Sequence, residues 1–554
     1  MSTLPAWAAK LVSLYESHAA SQFILYGNVS DQFVLPLEHP ALGSLYDFLR
    51  KVMMPRFDVV ISYDLGNGIR IDKGADIAAT WPGLKEHAEL PRAPRPAIEF
   101  LTRLFRYSAN LKRLGQESHQ IGFIMKSAHL VAPALPGALN YDLNALAMLI
   151  RDWASDEQLS QHTLVTWLVA ENLHDLHPLI VNNPRAAAVE IPLPPPEELR
   201  SALAHFARDF PIAVRAFESK LDALARELTG ATLNSVESML RVRNYGKTEI
   251  APAHLVDLKK QLVEKDAGGL IEFIESRRTL DDVYAQDKLK AWLRQDIQLW
   301  RNNDLQAMPM GYLICGPVGT GKTYLVECLA GEAGVPVVKI KNFRDKWVGS
   351  TEGNLEKIFR LLKGLGRCFV FIDEADQALG RRDAGSSDSG LSGRIYGMFA
   401  EQMSDTTNRG RIVWVLASSR PDLIEVDLKR PGRLDVKIPI FPSTTAREGF
   451  ALIRALAKRR GIDLAESDFP AIEPLIPPLI TAGAAEAIAV KVYRAARTEN
   501  LAPAEALRRA LHGYQNPVPL DVLQFQIALA AREASDGEFV PEQFRQLRTL
   551  SHPV

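Results

Sequence analysis

Short apolar runs punctuate the chain at 23–27, 121–125, 164–169, 311–315, 335–340, 367–372 and 411–417. Each is only a few residues long and apolar on both alternating faces, the pattern of a strand covered on both sides of a parallel sheet. Between them the period changes. Leu289, Trp292, Leu293 and Ile297 mark one face of a helix, as do Phe450, Ile453 and Leu456. Helices are also predicted over 197–206, 217–228, 247–265, 354–365, 484–498 and 519–534. Ser443-Thr444-Thr445, with Glu448 three residues after Thr445, predicts a capped start at 445. Strands alternating with helices predict an α/β fold built on parallel sheet.

Composition changes this picture little. The chain has 554 residues, 47% of them hydrophobic and 24% charged, with a net charge of −1. That length accommodates two to four domains. The balance gives no electrostatic footprint for nucleic acid or an anionic membrane. No apolar run approaches the ~18 residues of a membrane-spanning helix, and the first residues, Met1-Ser2-Thr3-Leu4-Pro5-Ala6-Trp7, lack the pattern of a signal peptide. Cys315, Cys328 and Cys368 all fall in apolar strand or helix, which predicts reduced core thiols. A cytoplasmic protein without a membrane segment is expected.

The chemistry concentrates at Gly316-Pro317-Val318-Gly319-Thr320-Gly321-Lys322-Thr323. This stretch matches a phosphate-binding loop, G-x-x-x-x-G-K-[ST], between a predicted strand and a predicted helix. Glycines let backbone N–H groups converge on phosphate oxygens, and the helix N-terminus adds partial positive charge. Lys322 is predicted to reach the β- and γ-phosphates and Thr323 to ligate Mg²⁺. About fifty residues on, the run 367–372 ends in Asp373-Glu374. An acid at that strand end can hold the metal through water, and its neighbour can polarise a water for in-line attack. ATP with Mg²⁺ is the expected ligand pair.

The first half reads as a worn copy of the second. At the offset that carries Trp167 onto Trp414, Ala170 meets Ala417, Asp175 meets Asp422, and Val189-Glu190-Ile191-Pro192 meets Val436-Lys437-Ile438-Pro439. Lys126 then stands where Asp373 stands, and Ser127 where Glu374 stands. A separate offset aligns Gly27 with Gly316, putting Phe33 at the place of Lys322. Chance agreement among short apolar strands is the alternative. The expected division is a non-catalytic copy over 1–243, a helical linker over 244–278, a large α/β subdomain over 279–442, and a helical lid with a tail over 443–554. His174-x-x-His177 is expected to be a surface pair without metal-ligand spacing.

Four further stretches carry a family resemblance. Thr279-Leu280-Asp281-Asp282-Val283, Ala417-Ser418-Ser419-Arg420-Pro421-Asp422, Leu428-Lys429-Arg430-Pro431-Gly432-Arg433-Leu434-Asp435 and Thr481-Ala482-Gly483-Ala484 occur in that order around the phosphate loop and Asp373-Glu374. Together they resemble the AAA group of ATPases within the AAA+ superfamily. The resemblance implies a P-loop NTPase sheet with a helical lid, preceded here by a degenerate AAA+-like α/β domain. It implies that Asp282, Val283, Gly483 and Ala484 face the adenine and ribose, with Tyr324 completing the nucleotide-binding set. It implies that Arg430 and Arg433 act as arginine fingers in a neighbouring subunit, hence a homo-hexameric ring. Ser419 stands where the family usually carries asparagine; a serine offers a shorter, rotatable hydroxyl, so slow hydrolysis or compensation by Ser418 or a water is expected. Lys346-Trp347-Val348-Gly349 resembles the loop that lines the ring's pore and grips polypeptide; the bland alternative is a tryptophan packed beneath a loop. Residues 381–390 resemble the second pore loop.

The expected activity is therefore ATP-driven remodelling, threading or disassembly of a protein partner. The alternative is a nucleotide-controlled assembly switch, and a nucleic-acid translocase is disfavoured by the neutral charge. No His-Glu-x-x-His segment occurs, so no zinc-protease motif of the membrane-bound AAA kind is present in the sequence.

Overall fold

A computed structural model describes residues 4–548, except 39, 86–89, 112–114, 118, 136–139, 157–158, 160–163, 252–254, 275, 277, 285, 342–349 and 380–388. The chain divides into two compact units. One comprises Met1–Leu270 with Asn342–Gly366, the other Ile271–Lys341 with Arg367–Val554.

The first unit holds strands β1 (Gln22–Gly27), β2 (Gln32–Leu35), β3 (Ala41–Ser44), β4 (Val59–Asp64), β5 (Gly68–Lys73), β6 (Ile121–Met125), β7 (Leu164–Val169) and β8 (Ala186–Ile191). Six of them form one sheet in the order β5-β4-β6-β7-β1-β8. All neighbours are parallel except the edge hairpin β4–β5. Alternate residues feed two cores. Ile24, Phe123 and Leu168 join one, while Phe23, Ile124 and Trp167 join the other. In register across β1 and β7, Phe23 stacks on Trp167 with ring centroids 4.8 Å apart.

The second unit adds β9 (Ile271–Ile274), β10 (Gly311–Cys315), β11 (Val337–Ile340), β12 (Cys368–Ile372), β13 (Ile412–Ser418) and β14 (Val436–Pro439) in the order β14-β10-β13-β12-β11-β9. Only β9 runs antiparallel to its neighbour. Counted within each unit, the five parallel strands follow one order, 5-1-4-3-2, with an antiparallel strand beyond the second. The backbones agree in a finer detail. Ser127 after β6 and Glu374 after β12 both sit in the left-handed region, at φ 49° and 47°.

Several expectations are corrected. After β1 the chain makes the β2–β3 hairpin, so Phe33 lies in a strand and not at the start of a helix. Lys126 places its ammonium 3.6 Å from the Tyr46 ring centroid. The helix expected over 247–265 runs Leu255–Ala267. The helix Ser350–Leu365 groups with the first unit, where Glu356 accepts from the Leu173 amide at 3.0 Å. His177 is buried, not a surface residue; its Nδ1 accepts from the Leu179 amide at 3.2 Å, and burial lowers its pKa. The lid core comes from the helices Ala446–Lys458, Ala482–Thr498 and Pro503–Leu511. The helix Leu520–Glu533 instead packs against β10 and β14. The expected tail is also folded: Phe539 meets Trp292 edge-on at 5.8 Å, and Phe544 lies 5.2 Å from Phe441.

Candidate active site

β10 delivers the phosphate loop to the sheet's C-terminal edge, between β14 and β13. Gly316 lies against β14's exit so closely that a Cβ there would stand 2.2 Å from the Ile440 carbonyl oxygen. Gly319 and Gly321 adopt φ 80° and 91°, conformations that cost other residues strain. Gly321 immediately precedes the helix Lys322–Ala333, so the helix's free N–H groups face the loop. From the lid, the Gly483 amide donates to Gly319 O at 2.8 Å. The helix Leu520–Glu533 contributes Gln526, whose side-chain oxygen accepts from the Val318 amide at 3.1 Å.

Lys322 folds into the loop and donates to Gly316 O at 2.8 Å, Pro317 O at 3.0 Å and Ser419 Oγ at 3.4 Å. Burial lowers its pKa, against the opposing pull of Cys315, Asp373, Asp376 and Glu374. Thr323 Oγ1 lies 3.3 and 3.5 Å from the two carboxylate oxygens of Asp373. Glu374 follows on the exposed side, and its amide donates to Asp373 Oδ1 at 3.2 Å. Thr323 and Asp373 are hard oxygen donors and few in number. Among the described residues no group of three or more His, Cys, Asp or Glu converges as a metal site. Such a pair fits Mg²⁺, an ion that keeps waters and takes its remaining ligands from phosphates.

These groups line a cleft of about 1220 Å³, together with Asp282, Val283, Tyr324, Ser419 and Gly483. Its size exceeds the usual range for small-molecule sites, so a whole nucleotide fits. Ala484 is buried and does not line the cleft; its neighbour Ala482 does. At the entry turn the Thr279 amide donates to Asp282 Oδ2 at 3.0 Å and the Asp282 amide to Thr279 O at 3.0 Å. Arg459 of the lid reaches across to Tyr324 Oη at 3.0 Å and Asp282 O at 3.4 Å.

The two serines of the sensor stretch have different roles. Ser418 donates to Asp376 at 2.6 Å and accepts from the Arg420 amide at 2.9 Å. Its hydroxyl is committed, so it is Ser419 that faces Lys322. Arg430 and Arg433 do not line this cleft. Both pair with Asp427: Arg430 at 3.2 Å, and Arg433 through the carboxylate and, at 3.0 Å, the carbonyl oxygen. Hydrogen bonds from Arg433 and then Tyr396 hold the Asp427 carboxyl below its usual pKa. Asp435 fixes the same loop by accepting from the Met310 amide at 2.7 Å. Lys346, Trp347, Val348 and Gly349, and most of 381–390, lie outside the described residues.

Sequence reasoning missed Gln526, Arg459 and Lys339, which donates to Asp373 Oδ2 at 3.0 Å. Only Lys339 left a signal, as a charge inside an apolar strand.

Fold and cleft define a P-loop nucleotide-binding module with a helical lid. Comparison with known proteins agrees. Residues 312–441 match the family model described as ATPase family associated with various cellular activities (AAA), and residues 1–192 match that of the AAA+ chaperone, N-terminal Rossmann-like domain. Both segments thus match AAA+ families, over 130 and 192 of the chain's 554 residues. The chain is 31% identical over 196 residues to an ATP-dependent zinc metalloprotease FtsH of Lancefieldella parvula, covering 34% of this chain and 30% of that protein. With the FtsH of Caldicellulosiruptor bescii it shares 35% over 211 residues, 36% of this chain and 34% of the other. With the peroxisomal ATPase PEX1 of Dictyostelium discoideum it shares 32% over 163 residues, 28% and 13% respectively. The chain thus spans about a third of the length of the FtsH relatives it matches. Among the described residues no helix is long and apolar enough to cross a membrane.

Proposed function

We propose that the second unit hydrolyses ATP with Mg²⁺ and that the chain couples this to remodelling of a protein partner in the cytoplasm. The convergence of Lys322, Thr323, Asp373 and Glu374 in one cleft, under a lid that bonds to the phosphate loop, carries the reading. Lys322 would leave its carbonyl partners for the β- and γ-phosphates, and Glu374 would polarise the attacking water. Bound magnesium would neutralise phosphate charge, held by Thr323 directly and by Asp373 through water. The three buried thiols suit a reducing compartment.

The site works within a ring of identical chains. Arg430 and Arg433 do not line their own chain's cleft; Arg430 is 69% exposed and can reach a neighbour directly, whereas Arg433, 20% exposed, would first leave Asp427. An arginine finger is worth ~10³ or more in rate. Arg433→Ala should therefore keep nucleotide binding and lose most turnover. Turnover per chain in the parent should rise with protein concentration; a constant value down to clear monomer would contradict a shared site.

The first unit is a catalytically dead copy over about 1–243, joined by 244–278 to the ATPase. Its shared strand order and left-handed Ser127 support common descent. Its β2–β3 hairpin takes the place of the phosphate loop, and Lys126 stands where Asp373 would hold magnesium. An isolated first unit that hydrolysed ATP would overturn this.

Trp347 is proposed to grip the partner from the ring's pore, the remodelling reading. In the assembly-switch alternative it is structural. Trp347→Ala should abolish partner-stimulated ATPase while keeping the melting temperature; a large melting drop with loss of assembly would favour the switch.

A further inference from the structure

β11 reads Val337-Val338-Lys339-Ile340, and Lys339 is its one residue that is not fully buried. A lysine inside a strand paired on both sides is costly unless its charge is used. The register explains where the charge goes. Lys339 stands opposite Phe371 of β12, so both side chains share one face of the sheet. Asp373, two residues beyond Phe371, continues that face. The lysine stem runs past the Phe371 ring, with Nζ 5.5 Å from its centroid, and the ammonium donates to Asp373 Oδ2 at 3.0 Å. That oxygen is also the one nearer to Thr323 Oγ1, at 3.3 Å against 3.5 Å for Oδ1. Oδ1 is engaged from another side by the Glu374 amide. The carboxylate is thus fixed by two donors on its own sheet, and one of them is a full positive charge beside Thr323.

We propose that Lys339 is a positioning residue that competes with magnesium for Asp373. It holds the carboxylate toward Thr323 while the site is empty, and it yields Oδ2 when magnesium enters with nucleotide. Lys339 thereby raises the magnesium concentration the site requires. Nucleotide without metal, already favoured by nearby positive charge, keeps its affinity. The inference rests on the reading of the second unit as a magnesium–nucleotide site.

The test uses the full chain carrying Glu374→Gln, so that no turnover intervenes, and a fluorescent ATP analogue read by anisotropy. Magnesium chloride is titrated into protein and analogue at low salt. Lys339→Met keeps the stem over Phe371 and removes the charge; Lys339→Arg restores the charge. An ion pair this exposed is worth up to ~1 kcal/mol, a factor of about five. Lys339→Met should lower the half-saturating magnesium concentration roughly fivefold, with Lys339→Arg returning toward the parent and added salt shrinking the gap. A lysine that merely packs would shift the melting temperature and leave the magnesium midpoint in place, which overturns the proposal. A midpoint that rises in Lys339→Met overturns it too, since Lys339 would then assist the metal. If the parent shows no magnesium-dependent binding, the site reading fails first and the inference falls with it.

Discussion

Gly316→Ala probes the phosphate loop with a single methyl group. Its Cβ would lie 2.2 Å from Ile440 O and 3.2 Å from the carbonyl carbon. Ile440 cannot simply retreat, because its amide donates to Cys315 O at 2.7 Å. Real Cβ contacts hardly fall below 3.0 Å, so the loop and the end of β14 must separate by roughly 1 Å. Overpacking of this kind costs about 1–3 kcal/mol, which for a unit of this size is a melting drop of about 3–10 °C. The larger effect falls on binding. Gly316 O and Pro317 O anchor the Lys322 ammonium, and a displacement near 1 Å in a positioning element can cost ~10²-fold. Gly334→Ala serves as the control: φ is 66° but nothing lies within 4 Å of its added Cβ, so only strain of about 1–2 kcal/mol is expected. Calorimetry and anisotropy with a fluorescent ATP analogue measure both variants. Gly316→Ala should lose more than tenfold in affinity, and Gly334→Ala should lose none. Parent-like binding and a melting point within a degree in Gly316→Ala would refute the close-approach argument.

Two further outcomes follow from individual side chains. Burial raises the Asp296 pKa to about 6, against the hydrogen bond from Tyr312. Its stabilising contribution is then complete below its ordinary value near 3.8 and is lost as pH rises through about 6. Asp296→Asn should raise the melting temperature at pH 8 and leave it unchanged at pH 4; an equal shift at both would contradict this origin. Ser419→Asn restores the amide usual in the family at the side chain facing Lys322, and should raise turnover roughly tenfold or more at unchanged nucleotide affinity. Steady-state ATPase assays decide this, and unchanged turnover would remove Ser419 from the account of rate.

What the sequence revealed follows the range of the forces involved. The phosphate loop and Asp373-Glu374 were legible because ligand chemistry dictates residue types at fixed spacing. β10 and β12 were legible because a strand buried on both faces has to be apolar throughout. The β2–β3 hairpin was not: Gln32–Leu35 and Ala41–Ser44 are too short to show a period. Nor did local pattern reveal that the C-terminal residues fold back, since Phe544 against Phe441 and Phe539 against Trp292 are contacts between distant segments. The Lys339–Asp373 pair depends on register between two strands, which neither strand encodes alone. The helix Ser350–Leu365 reads as part of the ATPase by its place in the chain, yet Glu356 bonds the Leu173 amide of the first unit.

Glu374 lines the cleft with Asp373 and Lys322, and the proposed hydrolysis turns on it. The decisive measurement is ATP binding and steady-state turnover in the parent, Glu374→Gln and Lys322→Ala, side by side. Glu374→Gln should bind ATP as the parent does and lose about 10²–10⁴ in rate, the usual worth of a general base. Lys322→Ala should fail to bind. Equal turnover in Glu374→Gln and the parent would contradict the proposed chemistry.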